Sequence, residues 1–581
     1  MSPPAPDASA AASVRPLRPL FPPTTRLFGV CLVVGVLGAF AALGFEWLVE
    51  AAGRLLLGGV GRFEPPAAGV LAPAVELPGW PARWWLPVAT TLGGLVSGWL
   101  VFRFAPEAEG HGTDAAIAAY HRGASPVPAR VPVVKAIASA VTIGSGGVAG
   151  REGPAAQISV GLGSLAAQAL GLRGQERRIV LLAAMAAGLA AVFKAPLGMA
   201  IFAVEILYAG MVFEAEALIY TIVAAVSAYA VHGFFAGWEP VFAIPAGLGF
   251  RHPATLAAYA ALGLVAGLVG AAMPTLFYRV RDLFARLPGP PHWKPALGGL
   301  LVGLLGMAVP EVLGTGYGWV ELALAGTLPL GTLVVLLLLK APAMSLTIGS
   351  GGSGGVFGPT VVIGALLGGA TGLAFERLLP GLETNPAAFV VVGMAAVFAG
   401  AARTPISTLI MTAEMTGGYG LIVPTMLANV LAFTTQRSLT ATARYPTLYR
   451  SQVASREDSP AHRGVFVRRA LELIEGGQLD RHELTLPRLV GLLRYGQPIP
   501  VSEGGELLVA VKVEEGSALA GATVAESLGT LTGATAVAVL RDGETLIPRG
   551  PTRFAAGDQL IAIATADAKR RLEAAAAAAG S

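Results

Sequence analysis

A carboxylate inside an apolar, glycine-rich stretch needs a reason to be there, because an ionised acid at membrane depth is expensive. Glu152 is such a residue, set in Gly150-Arg151-Glu152-Gly153-Pro154. Glycines let a backbone turn sharply and approach a ligand closely. A helix starting at this block offers unpaired N–H groups and a partial positive charge. That chemistry holds an anion without a fixed cation, and it makes Gly150, Arg151 and Gly153 candidate anion ligands. A full Lys or Arg charge in low dielectric would hold the ion too tightly to release it. A glutamate on the same helix start competes with the anion when ionised and vacates the place when protonated. Glu152 therefore reads as a gate with a proton handle. Arg151 is a candidate ligand or one half of a structural ion pair. The alternative for the glycines is that they only let helices pack closely, as small residues do in membranes.

The block occurs twice. Lys135–Pro154 reads KAIASAVTIGSGGVAGREGP and Lys340–Pro359 reads KAPAMSLTIGSGGSGGVFGP, with 12 of 20 positions identical. Met185–Glu205 and Met394–Glu414 form a second pair with the same Met-to-Pro and Pro-to-Glu spacings. Two homologous halves follow, about 27–245 and 250–440. Related halves with Gly-rich interruptions at matching places point to a transporter site at the bilayer midplane. The partner of Glu152 is Phe357, so the halves share a scaffold but not this chemistry. Lys135 and Lys340, and likewise Glu205 and Glu414, are duplicated, which assigns them structural work such as satisfying backbone groups.

The elements that position these residues must be membrane helices. Of the 581 residues 54% are hydrophobic and 13% charged, against about 25% charged in soluble domains. Mean hydropathy is +0.66. Apolar segments run almost continuously from Leu27 to about Ala432, and roughly 20 such residues cross a bilayer. The 76 Gly and 42 Pro break several of them; broken helices are tolerated where the freed backbone lines a cavity. The net charge of +4 says little, no nucleic-acid partner is expected, and Cys31, the single cysteine, forms no intrachain disulfide. Residues 1–24 read as a disordered N-terminus, not a cleaved leader, with Arg15, Arg18 and Arg26 favouring a cytoplasmic start. No H-E-x-x-H, P-loop or T-V-G-Y-G filter is present. Gly351–Gly355 fits G-x-S-x-G around Ser353, but inside a membrane repeat and without triad partners. No enzyme, metal site or cofactor is expected.

After Tyr449 the composition becomes charged. Residues 453–504 read as a linker with one or two short amphipathic helices, and 505–575 as a small α/β unit. LLVAVKV is a strand, TVAESL a short helix, Asp542-Gly543 a hairpin turn, AAGDQLIAIA a last strand, and a helix follows.

The blocks GREGP and GVFGP, the duplicated Pro-to-Glu segments and Pro446-Thr447-Leu448-Tyr449 resemble the CLC family of chloride channels and chloride/proton exchangers, over residues 25–452. The resemblance implies an α-helical multi-span fold of two inverted homologous halves, a homodimer in the lipid bilayer, and one chloride pathway per subunit. Glu152 would be the gating glutamate. The amides of Val356 and Phe357, with Gly358, and the hydroxyl of Tyr449 would line the central anion site; Tyr445 lies close by. The family's first anion motif, G-S-G-x-P, is here Gly110-His111-Gly112-Thr113-Asp114. His111 offers an imidazole N–H in place of a hydroxyl or is an ordinary packed histidine, and Asp114 replaces a proline and can cap a helix. The family's inner proton acceptor would stand after P-L-x-G-x-x-F-x-x-E, at a position held here by Ile206, which cannot carry a proton. The expectation is chloride transport gated by Glu152 through a channel or weakly coupled carrier; the alternatives are a chloride/proton antiporter using another proton route, His111 among the candidates, and, less favoured, a cation transporter. The C-terminal unit resembles the TrkA-C module of potassium-conductance regulators, which implies a dimerising regulatory domain able to take a small ligand such as a cyclic dinucleotide. The expected location is the plasma membrane of a bacterial-type cell, with that domain in the cytoplasm.

Overall fold

The computed structural model describes residues 23–462, 499–500 and 507–577, apart from 74, 123–125, 383, 457, 529–532, 542–543 and 547. The N-terminal segment expected to be disordered and most of the expected linker lie outside these residues. The chain falls into two compact units, Met1–Gln452 and Val453–Ser581.

The first unit is helical throughout, and its two halves match helix for helix. The first half runs α1 (Pro23–Gly53), α2 (Trp85–Phe104), α3 (Thr113–Arg122), α4 (Arg130–Gly144), α5 (Glu152–Ala169), α6 (Gly174–Phe193), α7 (Pro196–Glu205) and α8 (Ala215–Ala236). The second runs α9 (Leu256–Arg286), α10 (Lys294–Ala308), α11 (Tyr317–Leu324), α12 (Leu330–Gly349), α13 (Phe357–Leu378), α14 (Pro386–Ala402), α15 (Pro405–Thr416) and α16 (Ile422–Leu439). Packing repeats as well. α5 lies on α6 and α13 on α14; α1 lies on α8 and α9 on α16. Among the described residues six helical segments are long and apolar enough to span a bilayer. The others are shorter or less apolar.

Those interrupted helices are held by paired devices. Pro196 and Pro405 start α7 and α15, where a missing N–H costs nothing. Lys194 and Arg403 end α6 and α14 in the left-handed region, with φ of 51° and 57°. Each then sends its cation toward the end of the last long helix of its half. Lys194 Nζ donates to the carbonyls of Ala236 (3.2 Å) and Glu239 (3.0 Å). Arg403 donates to Gln436 (3.0 Å) and Thr440 (2.8 Å). The duplicated acids cap across the halves. Glu205 accepts the N–H groups of Ile406 (3.1 Å) and Ser407 (2.8 Å) and the Ser407 hydroxyl, at the start of α15. Glu414 accepts those of Leu197 (3.1 Å) and Gly198 (2.8 Å), at the start of α7. The duplicated lysines satisfy carbonyls. Lys135 Nζ donates to Ala108 and Gly110 (3.0 and 2.7 Å), and Lys340 Nζ to Val312 and Gly314 (both 2.8 Å).

The second unit is a five-stranded antiparallel sheet of β1 (Ile499–Pro500), β2 (Leu507–Lys512), β3 (Ala534–Arg541), β4 (Glu544–Leu546) and β5 (Gln559–Ala564). Its order is β1-β2-β5-β3-β4. Arg541 pairs with Glu544, so β3 and β4 form a hairpin with a two-residue connection; Asp542 and Gly543 themselves lie outside the described residues. The helices are α17 (Val524–Leu528) and α18 (Ala566–Ala576). Val509, Val511, Val539, Phe554, Leu560 and Leu572 fill the core. Buried Asp558 takes both Arg541 Nε and Nη2 at 2.8 Å and the Ala555 N–H at 2.7 Å. Burial pushes its carboxyl up, but these donors outweigh burial and hold it below the ordinary range.

Removing Glu205 strands the buried Ser407 N–H, at roughly 1–3 kcal/mol, and the part-buried Ile406 N–H. Glu205→Ala should lower the melting temperature of the detergent-solubilised protein clearly. Glu107→Ala, which breaks only an exposed pair with Arg130, should leave it almost unmoved. The Asp558 carboxylate contributes stability that is complete above its unfolded pKa and lost as pH falls through its lower folded value. Acid unfolding of the C-terminal unit below about pH 4 should therefore become shallower in Asp558→Asn, read by circular dichroism of its sheet signal.

Candidate anion site

Two helices start at the centre of the first unit, one from each half. The extended segments before α5 and α13 meet backbone to backbone: Gly150 N donates to Gly355 O and Gly355 N to Gly150 O, both at 2.7 Å. This reciprocal pair fixes the two helix starts side by side. Glu152 is the first residue of α5 and is fully buried. Its carboxylate does not serve its own helix alone. Oε2 accepts the N–H of Gly358 at 3.2 Å, in the first turn of α13. Oε1 takes the hydroxyl of Tyr317, the first residue of α11. The acid therefore sits where the dipole and free amides of α13 converge.

Two glycines are obligatory for this approach. A Cβ on Gly150 would stand 2.1 Å from Glu152 Oε2, and one on Gly153 would stand 2.0 Å from the His111 carbonyl. The latter brings the Gly110–Asp114 loop onto the first turn of α5. Gly354 N donates to Gly110 O (3.2 Å) and Gly110 N to Gly352 O (3.3 Å), so the loop is clamped between the halves.

Tyr449 and His111 meet inside this framework, with rings 5.4 Å apart edge to face. Both are buried. Among the described residues neither the Tyr449 hydroxyl nor His111 Nδ1 has a hydrogen-bond partner; the Thr113 side chain stands near that hydroxyl. Two polar atoms withheld from water and from each other are what a transient ligand would satisfy. Tyr445 differs: it is half-buried and its hydroxyl is spent on Asp282 Oδ2 at 2.5 Å. The chain around Tyr449 is anchored on every side. Gln436 binds Pro446 O (2.6 Å), Leu448 N binds Ala401 O (3.1 Å), and Tyr278 binds Leu448 O (2.7 Å). Asp114 accepts the Ser451 N–H at 2.7 Å, so it ties Tyr449's segment to α3.

The remaining candidates are placed as follows. Arg151 pairs with Glu46 at 3.1 Å, and Glu46 also binds His232 at 2.9 Å; its guanidinium is committed to α1. Phe357 stacks on Phe398 at 3.8 Å and abuts Phe193 at 4.5 Å, so Val356, Phe357 and Gly358 offer the site backbone, while the ring packs. Ile206 is fully buried at the end of α7. Ser353 donates to Ala108 O and contacts Ser139 Oγ, a packing role without a histidine. Tyr317 was not singled out from the sequence. Its signal was available: Gly314-Thr315-Gly316-Tyr317 occupies the place in the second half that Gly110-His111-Gly112-Thr113 holds in the first.

Residues 93–437 match the family model described as voltage gated chloride channel. The chain belongs to the CLC family. An H(+)/Cl(-) exchange transporter ClcA of Salmonella arizonae is 32% identical over 389 residues, 66% of this chain and 81% of that relative. A ClcB-like protein of Ralstonia nicotianae is 31% identical over 439 residues, 74% of this chain and 97% of the relative. A solved slow cyanobacterial Cl-/H+ antiporter aligns with TM-score 0.64 and 24% identity, over 74% of this chain and 97% of that one. Residues 508–576 match the TrkA-C domain. This CLC protein is thus a membrane anion transporter joined to a TrkA-C domain.

Gly153→Ala should prevent the α5 start from docking, and the variant should fail to elute as folded protein on size exclusion. Gly44→Ala meets nothing within 4 Å and should be neutral or stabilising by up to about 1 kcal/mol, which separates close approach from a general glycine effect.

Proposed function

We propose that this CLC protein carries chloride through a pathway gated by Glu152, as a carrier with weak proton coupling. The observation that carries the reading is the seat of the Glu152 carboxylate on the Gly358 amide. That is an anion's place on a helix start, occupied by the protein's own anion. Protonation would neutralise the group, weaken its hold on the α13 dipole, and let chloride replace it. Inward of the gate, the Tyr449 hydroxyl and a His111 N–H would donate to the ion in transit, with the Val356 and Phe357 amides. Gly110, Gly150 and Gly153 would contribute close backbone, and Arg151 backbone only. Helix starts and N–H and O–H donors suit an anion; a cation would need carbonyls turned toward it.

Weak coupling follows from Ile206. An alkyl side chain at the inner acceptor position binds no proton and makes carrying one inward costlier. A fully coupled antiporter is the second reading, favoured by the printed names of the Salmonella relative and the cyanobacterial structure. With the transport reading go a homodimer, a plasma-membrane location, the TrkA-C unit in the cytoplasm, and a small regulatory ligand there. The family resemblance supports each of these. The boundaries 25–452 for the membrane domain and 505–575 for the regulatory one belong to the same proposal.

Glu152→Gln in reconstituted vesicles should carry chloride at a rate that no longer changes with pH and should move no protons. Unchanged pH dependence would remove Glu152 from the gate. Tyr317→Phe deletes one hydrogen bond to the seated carboxylate, worth about 1.5–3 kcal/mol when the acceptor is charged. It should raise chloride flux at neutral pH by about tenfold or more, whereas flux equal to the parent protein's would mean that Tyr317 does not hold the gate shut.

A further inference from the structure

Beside Ile206 lies a buried group of titratable side chains that the gate does not use. Gln452, the last residue of the membrane unit, donates to Ile206 O at 2.9 Å and Ala402 O at 3.1 Å, so Ile206 stands at the face where the chain leaves the unit. Directly after it the chain turns, and Glu214 folds back on that turn. The Glu214 N–H binds Val204 O at 3.4 Å. The Glu214 carboxylate accepts the Tyr208 hydroxyl. Tyr120, from α3, reaches the same pair with its hydroxyl. His121, next to it, contacts Leu207 O through Nε2 at 3.1 Å, with its ring 5.7 Å from that of Tyr208. Arg178 on α6 is the cation facing this group. Tyr120, His121, Tyr208 and Glu214 are all buried, and the Ala209–Phe213 loop over them is partly open, with Met211 exposed.

The geometry points to Glu214, held by Tyr208 and flanked by Tyr120 and His121, as the inner proton-loading group that stands in for the missing acceptor at Ile206. An acid that is buried, hydrogen-bonded to a phenol and one loop away from water can take a proton from that face and give it up inward. The step is a plain transfer: one O–H bond forms on the Glu214 carboxylate as water or hydronium releases the proton. That bond breaks when the proton moves on toward Glu152, where it frees the seat for chloride. Tyr208 keeps its own hydroxyl proton throughout. A loading group set off from the family's usual position lengthens the route, which agrees with weak rather than absent coupling. The inference rests on Glu152 being the gate.

The test uses the full chain in vesicles with a chloride gradient, a potassium ionophore to clamp voltage, and a pH dye. The parent protein should move protons uphill slowly. Glu214→Gln should keep chloride flux and lose proton movement to background, and Tyr208→Phe should reduce it. Ile206→Glu placed in Glu214→Gln should restore it, a rescue that a merely structural role for Glu214 would not permit. Proton movement unchanged in Glu214→Gln would overturn the inference, as would a Glu214→Gln protein that loses both fluxes and is not rescued. So would a parent protein that carries chloride and no protons, though anion transport would then stand. Absence of chloride flux in the parent protein would instead sink the proposed function itself.

Discussion

A helix that ends inside a membrane protein must find partners for its loose N–H and C=O groups, because water does not supply them. The first unit answers this requirement by pairing its halves. Gly150 and Gly355 exchange hydrogen bonds, Glu205 and Glu414 each cap a helix of the opposite half, and Lys135 and Lys340 each take two carbonyls. Once these are counted, the first turns of α5 and α13 are the conspicuous remainder. There the partner is the carboxylate of Glu152. Among the described residues, this junction satisfies a helix start of one half with an acid that has no counterpart in the other.

Two of the positions where the halves differ have a chemical sense at the site. Glu152 faces Phe357 across the repeat. One provides the seat's occupant, the other fills an aromatic cluster that keeps the α13 start dry. His111 lies just before α3 and Tyr317 opens its counterpart α11, and one leans on Tyr449 while the other holds Glu152. The scaffold is therefore shared, and the two helix starts it brings together are chemically different.

Much of this was legible in the residues. The two copies of the Lys-to-Pro block foretold paired helix starts, and the duplicated Lys and Glu foretold structural work, because a residue repeated in both halves cannot be specific to one site. Glu152 stood out because its partner is not an acid. What the sequence did not reveal was pairing at a distance. The Arg151–Glu46 contact and the Tyr445–Asp282 bond join residues far apart in the chain, and no local spacing announces them. Asp114 was expected to serve its own helix and instead holds Ser451. Tyr317 lies before Lys340, outside the repeated Lys-to-Pro block, so that block does not point to it. The Glu214 group is invisible in sequence for the same reason: α3 and the turn after α7 come together only in the fold.

The crossed caps also bear on how the protein is made. Glu205 waits for the amides of Ile406 and Ser407. At a translation rate of about 5–20 residues per second, these emerge roughly 10–40 s later. Through that interval the first half sits in the bilayer with a bare carboxylate and open helix ends. It cannot mature as a finished domain before the ribosome delivers its counterpart. Contacts this distant in the chain slow assembly, and they make the nascent first half a natural client for insertion machinery that shelters polar groups.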